Sequence, residues 1–130
     1  MVRDRGRHDR GSAPAEFALV GGLLVLVFLA VVQLAVAIHV RNTLVAAAAD
    51  GARVGAEAGR PLASATARTR ELVSRSLTAA YARDVSARRV RIGGVDEVEV
   101  EVRAPLPVVG FLGAGDAALD VTAHALAEPP

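Results

Sequence analysis

The run FALVGGLLVLVFLAVVQLAVAI, from Phe17 to Ile38, decides the fold. Its one polar side chain is Gln33. As an α-helix rising 1.5 Å per residue it would be roughly 33 Å long, matching a hydrocarbon core of about 30 Å. A helix of that length buried in a soluble protein normally keeps a polar stripe, and this one has none. The run therefore predicts a membrane-embedded helix. A cleaved secretory signal is the competing reading, but signal cores are shorter, about 7 to 15 apolar residues, and end at a small-x-small site. Here the apolar run passes into Ala46 to Ala49, which continues as helix.

The flanks orient the helix. Before it, Met1 to Gly11 is polar and carries Arg3, Arg5, Arg7 and Arg10 against Asp4 and Asp9. After it, Arg41 is followed at a distance by Arg53 and Arg60, interleaved with Asp50 and Glu57. Basic residues close to a span collect on the cytoplasmic side. The asymmetry predicts a single-pass protein of the cytoplasmic membrane, N-terminus inside and C-terminal domain outside.

Beyond the run, residues 41–59 read as an extension of the same helix. Ala47, Gly51, Gly55 and Gly59 fall four apart and so share one face. Such a stripe lets a second backbone approach closely. Its partner is either another subunit's helix, as small-residue rows pair helices in membranes, or the chain's own sheet, the simpler choice for a row just outside the bilayer. Gly59, Arg60 and Pro61 stop the helix, since a proline disfavours helical geometry in the residue before it and can open the next helix. Leu62 to Arg83 then reads as an amphipathic helix, with Ala65, Leu72, Val73, Leu77, Ala80 and Tyr81 on one side and a Glu71–Arg75 pair on the other.

The last third alternates like strands. Val90 and Ile92 alternate with Arg89 and Arg91, Gly93-Gly94 signals a two-residue hairpin turn, and Val98, Val100 and Val102 alternate with Glu97, Glu99, Glu101 and Arg103. Pro105 and Pro107 end that strand, Val108 to Gly115 reads as a loop, and Leu119 to Leu126 as a third strand. The predicted fold class is α+β: a long N-terminal transmembrane helix continuing into an extracytoplasmic domain with a second helix and a small antiparallel β-sheet. The expected divisions are a basic cytoplasmic leader at 1–11, the transmembrane helix at 12–40, its extension at 41–59 and the outer α+β domain at 60–130.

Composition narrows the function. At 130 residues there is room for one domain. The apolar share is mostly Ala, Val and Leu, so the core of so small a domain will be thin. All the basic residues are Arg, and a net charge of +1 gives no field for nucleic acid. The absence of Cys excludes disulfides, thiolate metal sites and a Cys nucleophile. His8, His39 and His124 are too scattered to suggest a metal centre. Glu97, Glu99 and Glu101 read as a solvated strand face rather than paired catalytic acids. Gly110, Gly113 and Gly115 lack the strand and long helix of a phosphate loop. The expectation is a non-enzymatic protein with no metal, no cofactor and no small-molecule substrate.

The junction before the apolar run is the most informative stretch. A polar leader ends at Gly11, Ser12 follows, and Glu16-Phe17 opens the run. A carboxylate there is costly, roughly 2.5 to 3.5 kcal/mol at mid-bilayer and less near the interface. The helix N-terminal dipole offsets part of this. The pattern resembles type IV prepilins. Within that group Gly11-Ser-Ala-Pro-Ala-Glu16-Phe17-Ala-Leu, the apolar run, Val40-Arg41-Asn42 and Ala48-Ala-Asp-Gly51-Ala-Arg53 together resemble the TadE-like family, as, more loosely, does the C-terminal half with Pro105-Leu-Pro107.

That resemblance implies a minor pilin or pseudopilin needed to assemble a tight-adherence (Flp, type IVb) pilus. It implies a leader removed between Gly11 and Ser12 by a prepilin peptidase, and Glu16 paired with the new amine of a neighbouring subunit. Other pilins, pilus-assembly proteins and membrane lipid are the implied partners, with Phe17, Gln33, Gly51 and Gly55 as further candidate subunit contacts. The final location would be the membrane or a pilus at the cell surface. The alternative is an uncleaved, signal-anchored scaffold of a secretion complex.

Overall fold

A computed structural model describes residues 12–107 and 118–129. The leader through Gly11 and the loop read at Val108 to Gly115 lie outside the described residues. One helix, α1, runs from Ser12 to Ala56, and the chain divides within it, after Ala35, into two compact units.

In the first unit the large apolar side chains face outward all round. Phe17, Leu19, Leu23, Leu24, Leu26, Phe28, Leu29 and Leu34 are all exposed. By length and composition α1 can cross a membrane, and a helix with no polar face and no protein cover suits lipid.

In the second unit the same helix changes character. Val40, Leu44, Ala47, Ala48, Gly51, Ala52, Gly55 and Ala56 are buried. They recur every three or four residues and so form one seam. Against the seam lies α2, Leu62–Ser76, which buries Ala65, Thr69 and Val73. A Cβ added at Gly51 would fall 1.9 Å from Thr69 Oγ1 and 2.8 Å from the Ala65 carbonyl oxygen. One at Gly55 would fall 2.7 Å from Ala65 Cβ and 3.3 Å from Val98 Cγ1. The small-residue stripe is thus where α1 meets its own α2 and sheet. Thr69, fully buried, donates its hydroxyl to the Ala65 carbonyl at 2.9 Å. Across the rim of the seam, Arg68 Nε donates to Asp50 Oδ2 at 2.7 Å.

Three strands complete the unit: β1 (Asp84–Ile92), β2 (Val95–Pro105) and β3 (Ala118–Leu126). They form an antiparallel sheet in sequence order. Gly93 and Gly94 take φ of +58° and +88°, the left-handed pair that a tight hairpin turn demands. The registers Val85↔Val102↔Val121 and Ala87↔Val100↔Ala123 put Val and Ala on the face toward the helices. Val98, Val100 and Val102 are fully buried there.

Three local expectations change. First, α1 ends at Ala56, and Gly59, with φ +75°, makes the turn toward α2. Second, the helix read through Arg83 stops at Ser76. Leu77 leaves helical geometry (φ −126°, ψ −141°) while its N–H still caps the Val73 carbonyl, and a 3-10 turn follows at Ala79–Ala82. The chain has to reverse into β1, and burying Ala82 and half-burying Leu77 and Tyr81 there outweighs helix propensity. Third, Val90 and Ile92 point away from the helices. Once Val85 is paired with Val102, the alternation places Val90 beside Glu97 and Leu126 on the outer face.

Candidate functional site: the head of the apolar helix

Ser12 opens α1, with Pro14 in its first turn. A proline fits there because a first-turn N–H has no intrahelical acceptor to lose. One turn on, the Ser12 hydroxyl donates to Glu16 Oε1 at 2.9 Å. The carboxylate therefore begins the apolar helix with one neutral hydrogen-bond donor among the described residues. Phe17, next to it, is 81% exposed. Ser12, Glu16 and Phe17 thus sit together at one helix end, while Gly11 lies outside the described residues. Gln33 is several turns further on and half-buried. Gly51 and Gly55 belong to the second unit, where Ala65, Thr69 and Val98 fill the space beside them.

A second polar constellation occupies the outer face of the sheet. The row Glu97, Glu99, Glu101 was expected to be solvated, yet Glu99 is only 8% exposed. It lies on the central strand, in register with Arg88 on β1 and His124 on β3. Arg88 Nε donates to Glu99 Oε1. His124 Nδ1 and Nε2 stand 3.5 Å from Glu97 Oε2 and 3.7 Å from Glu99 Oε2. Hydrogen bonding to Glu99 raises the Arg88 guanidinium above its ordinary range. At the other end of the same face Arg103 Nε donates to Asp120 Oδ1 at 2.7 Å. That bond holds the Asp120 carboxyl below the usual carboxylate range and raises Arg103. Among the described residues no group of three or more His, Asp or Glu is arranged to hold a metal. The charged row alone did not show this cover, which comes from Arg88 and His124 through the register of β1 and β3.

The match to a known family begins at the junction residue itself. Residues 11–53 match the family model described as TadE-like protein. The matched segment starts at Gly11, takes in Ser12, Glu16, the apolar run and Gln33, and ends at Arg53, an exposed residue between the buried Ala52 and Gly55. It covers about a third of the chain, and α2 and the sheet lie beyond it. No curated protein matches the chain, and no solved structure does.

Proposed function

We propose that this chain is a non-enzymatic minor pilin or pseudopilin that takes part in assembling a tight-adherence pilus. The observation that carries the reading is the TadE-like match over a helix that opens at Ser12, with Glu16 at the head of a run whose one polar side chain is Gln33. In this reading the helix holds the subunit in the cytoplasmic membrane with the leader inside and the folded unit outside. A prepilin peptidase cuts between Gly11 and Ser12. The new amine on Ser12 supplies the cation that Glu16 of a neighbouring subunit lacks, which offsets the cost of holding a carboxylate in lipid. Phe17 and Gln33, both on the apolar part of the helix, are the other contacts offered to neighbouring helices. Gly51 and Gly55 are already covered by the subunit's own α2 and sheet.

Glu16→Leu tests the contact. The variant should reach the membrane in normal amount, because it makes the helix more apolar, and should leave cells without surface pili by electron microscopy. Normal piliation in that strain would remove Glu16 from the assembly mechanism.

A further inference from the structure

We propose that the outer face of the sheet, at its hairpin end, is where the folded units of two copies of this chain meet, sheet against sheet. The proposal rests on the second unit alone and not on the role in pilus assembly.

Among the described residues the second unit leaves five large apolar side chains exposed: Ile38 and Val45 on α1, and Ile92, Val95 and Leu126 on the sheet. The last three, 49%, 48% and 66% exposed, fall in one corner. Ile92 pairs with Val95, and the next outward row is Val90, Glu97 and Leu126. Val98, Val100 and Val102 point toward the helices, so strand alternation puts both of these rows on the opposite face. The rest of that face is polar: Arg88, Glu99 and His124, then Ser86, Glu101 and Thr122, then Asp84, Arg103 and Asp120. An apolar corner on an otherwise charged face marks a contact surface.

The connection between β2 and β3 is too short to cover this corner. It leaves from the opposite end of the sheet, where Pro105 pairs with Ala118, eight residues of β2 beyond Glu97 and about 26 Å away. Going there and back takes more than about 50 Å, and residues 106–117 stretch to at most about 45 Å.

A second copy fits the corner by charge. Arg88 Nε donates to Glu99, and His124 Nδ1 stands 3.5 Å from Glu97, so each acid beside the apolar corner is accompanied within its own sheet. Two such faces approach without bare like charges meeting. A two-fold axis along β2 keeps the rows level and sets Val90 of one copy against Leu126 of the other. It also brings Arg88, which among the described residues bonds through Nε alone, over the other copy's His124 and Glu97. Glu97 has no arginine partner among the described residues of its own sheet, so the pairing supplies one. Four side chains make a contact smaller than the about 800 Å² per partner of a lasting dimer, so the pairing has to be trapped to be seen.

The chain has no cysteine, so Ile92→Cys introduces its only thiol. The full chain, in its native membrane, is treated with a bis-maleimide whose reach matches the about 10 Å between packed sheets. The expected product has twice the chain's mass, with position 92 joined to position 92 by peptide mass spectrometry. Ser86→Cys, on the same strand and face but beyond the charged row, should give little of it. Leu126→Asp added to Ile92→Cys should cut the cross-linked fraction roughly tenfold, because it sets an unpaired charge into an apolar contact. Ile92, Ser86 and Leu126 are all exposed, so the urea midpoints of these variants should match that of the parent chain. Should Leu126→Asp lower its midpoint, Leu126→Ser takes its place with the same direction expected. Monomer alone, equal yields from positions 86 and 92, or a yield indifferent to position 126 would overturn the proposal. So would a cross-link to a different protein. The two proposals fail separately: Glu16→Leu cells that keep normal pili and still cross-link at position 92 lose the Glu16 contact and retain the pairing.

Discussion

Two stretches of one helix live in opposite surroundings. From Phe17 to Ala35 the large apolar side chains are exposed on every side. From Val40 to Ala56 they shrink to Ala and Gly along one seam, and that seam is buried. The second stretch also carries Arg41, Asn42, Thr43, Asp50 and Arg53, none of them in the buried seam, against Gln33 alone in the first. What sets the surroundings is the distribution of size and polarity around the axis. Big residues in all directions ask for a fluid solvent such as lipid, whereas small residues in a line ask for a rigid partner at fixed distance. The glycines show it most directly. Gly21 and Gly22 have nothing within 4 Å of an added Cβ, while Gly51 has a hydroxyl and a carbonyl oxygen.

The largest break in this comparison comes from paired leucines. Leu44 is fully buried, so Leu44→Ala should destabilise the folded unit by about 2–5 kcal/mol, a heavy loss in a core built mainly of Val and Ala. Leu26→Ala, at a site 65% exposed, should leave the unit's stability unchanged. Urea unfolding of the full chain in detergent, followed by Tyr81 fluorescence, measures both. Equal losses would mean that the two stretches are not in different surroundings.

Next come the glycines. Gly51→Ala gains up to about 1 kcal/mol of helix propensity but forces Thr69 and the Ala65 carbonyl aside, a strain of about 1–3 kcal/mol, so the net effect should be a loss. Gly21→Ala should cost nothing in the same assay. A neutral Gly51→Ala would show that α1 and α2 can separate freely at this point.

The smallest effect is electrostatic and lies on the sheet's outer face. Asp120 has its folded-state pKa lowered by Arg103, so the stability it adds is present above the ordinary carboxylate range near pH 4. That contribution is lost as the pH falls through the lowered value. Asp120→Asn should flatten the decline of the unfolding midpoint in that window. Because both side chains are more than half exposed, added salt should shrink the difference further.

How much of this was legible beforehand follows the same division between local and non-local information. The apolar run, the Gly93-Gly94 turn and the alternation of Val98, Val100 and Val102 are local patterns, and the structure contains each of them. The burial of Glu99 was not legible, because it depends on Arg88 and His124 arriving from neighbouring strands. The outward phase of Val90 and Ile92 depends on the pairing of Val85 with Val102, a choice made at the far end of the strand. The early end of α2 was hidden for a related reason: Leu77 and Ala82 satisfy the core better out of helix than in it. At the candidate site, the positions of Ser12 and Glu16 could be read directly, since residues four apart on a helix meet. The stripe of Gly51 and Gly55 was legible as a close-approach surface, but which backbone approaches it was decided by α2.

The central claim is that the apolar helix belongs to a processed pilin subunit, and the N-terminal sequence of the protein purified from its native membrane tests it most directly. The account predicts a mature chain that starts at Ser12, with its amine free to meet a neighbour's Glu16. A chain that still starts at Met1 would contradict it and leave an uncleaved, signal-anchored scaffold in its place.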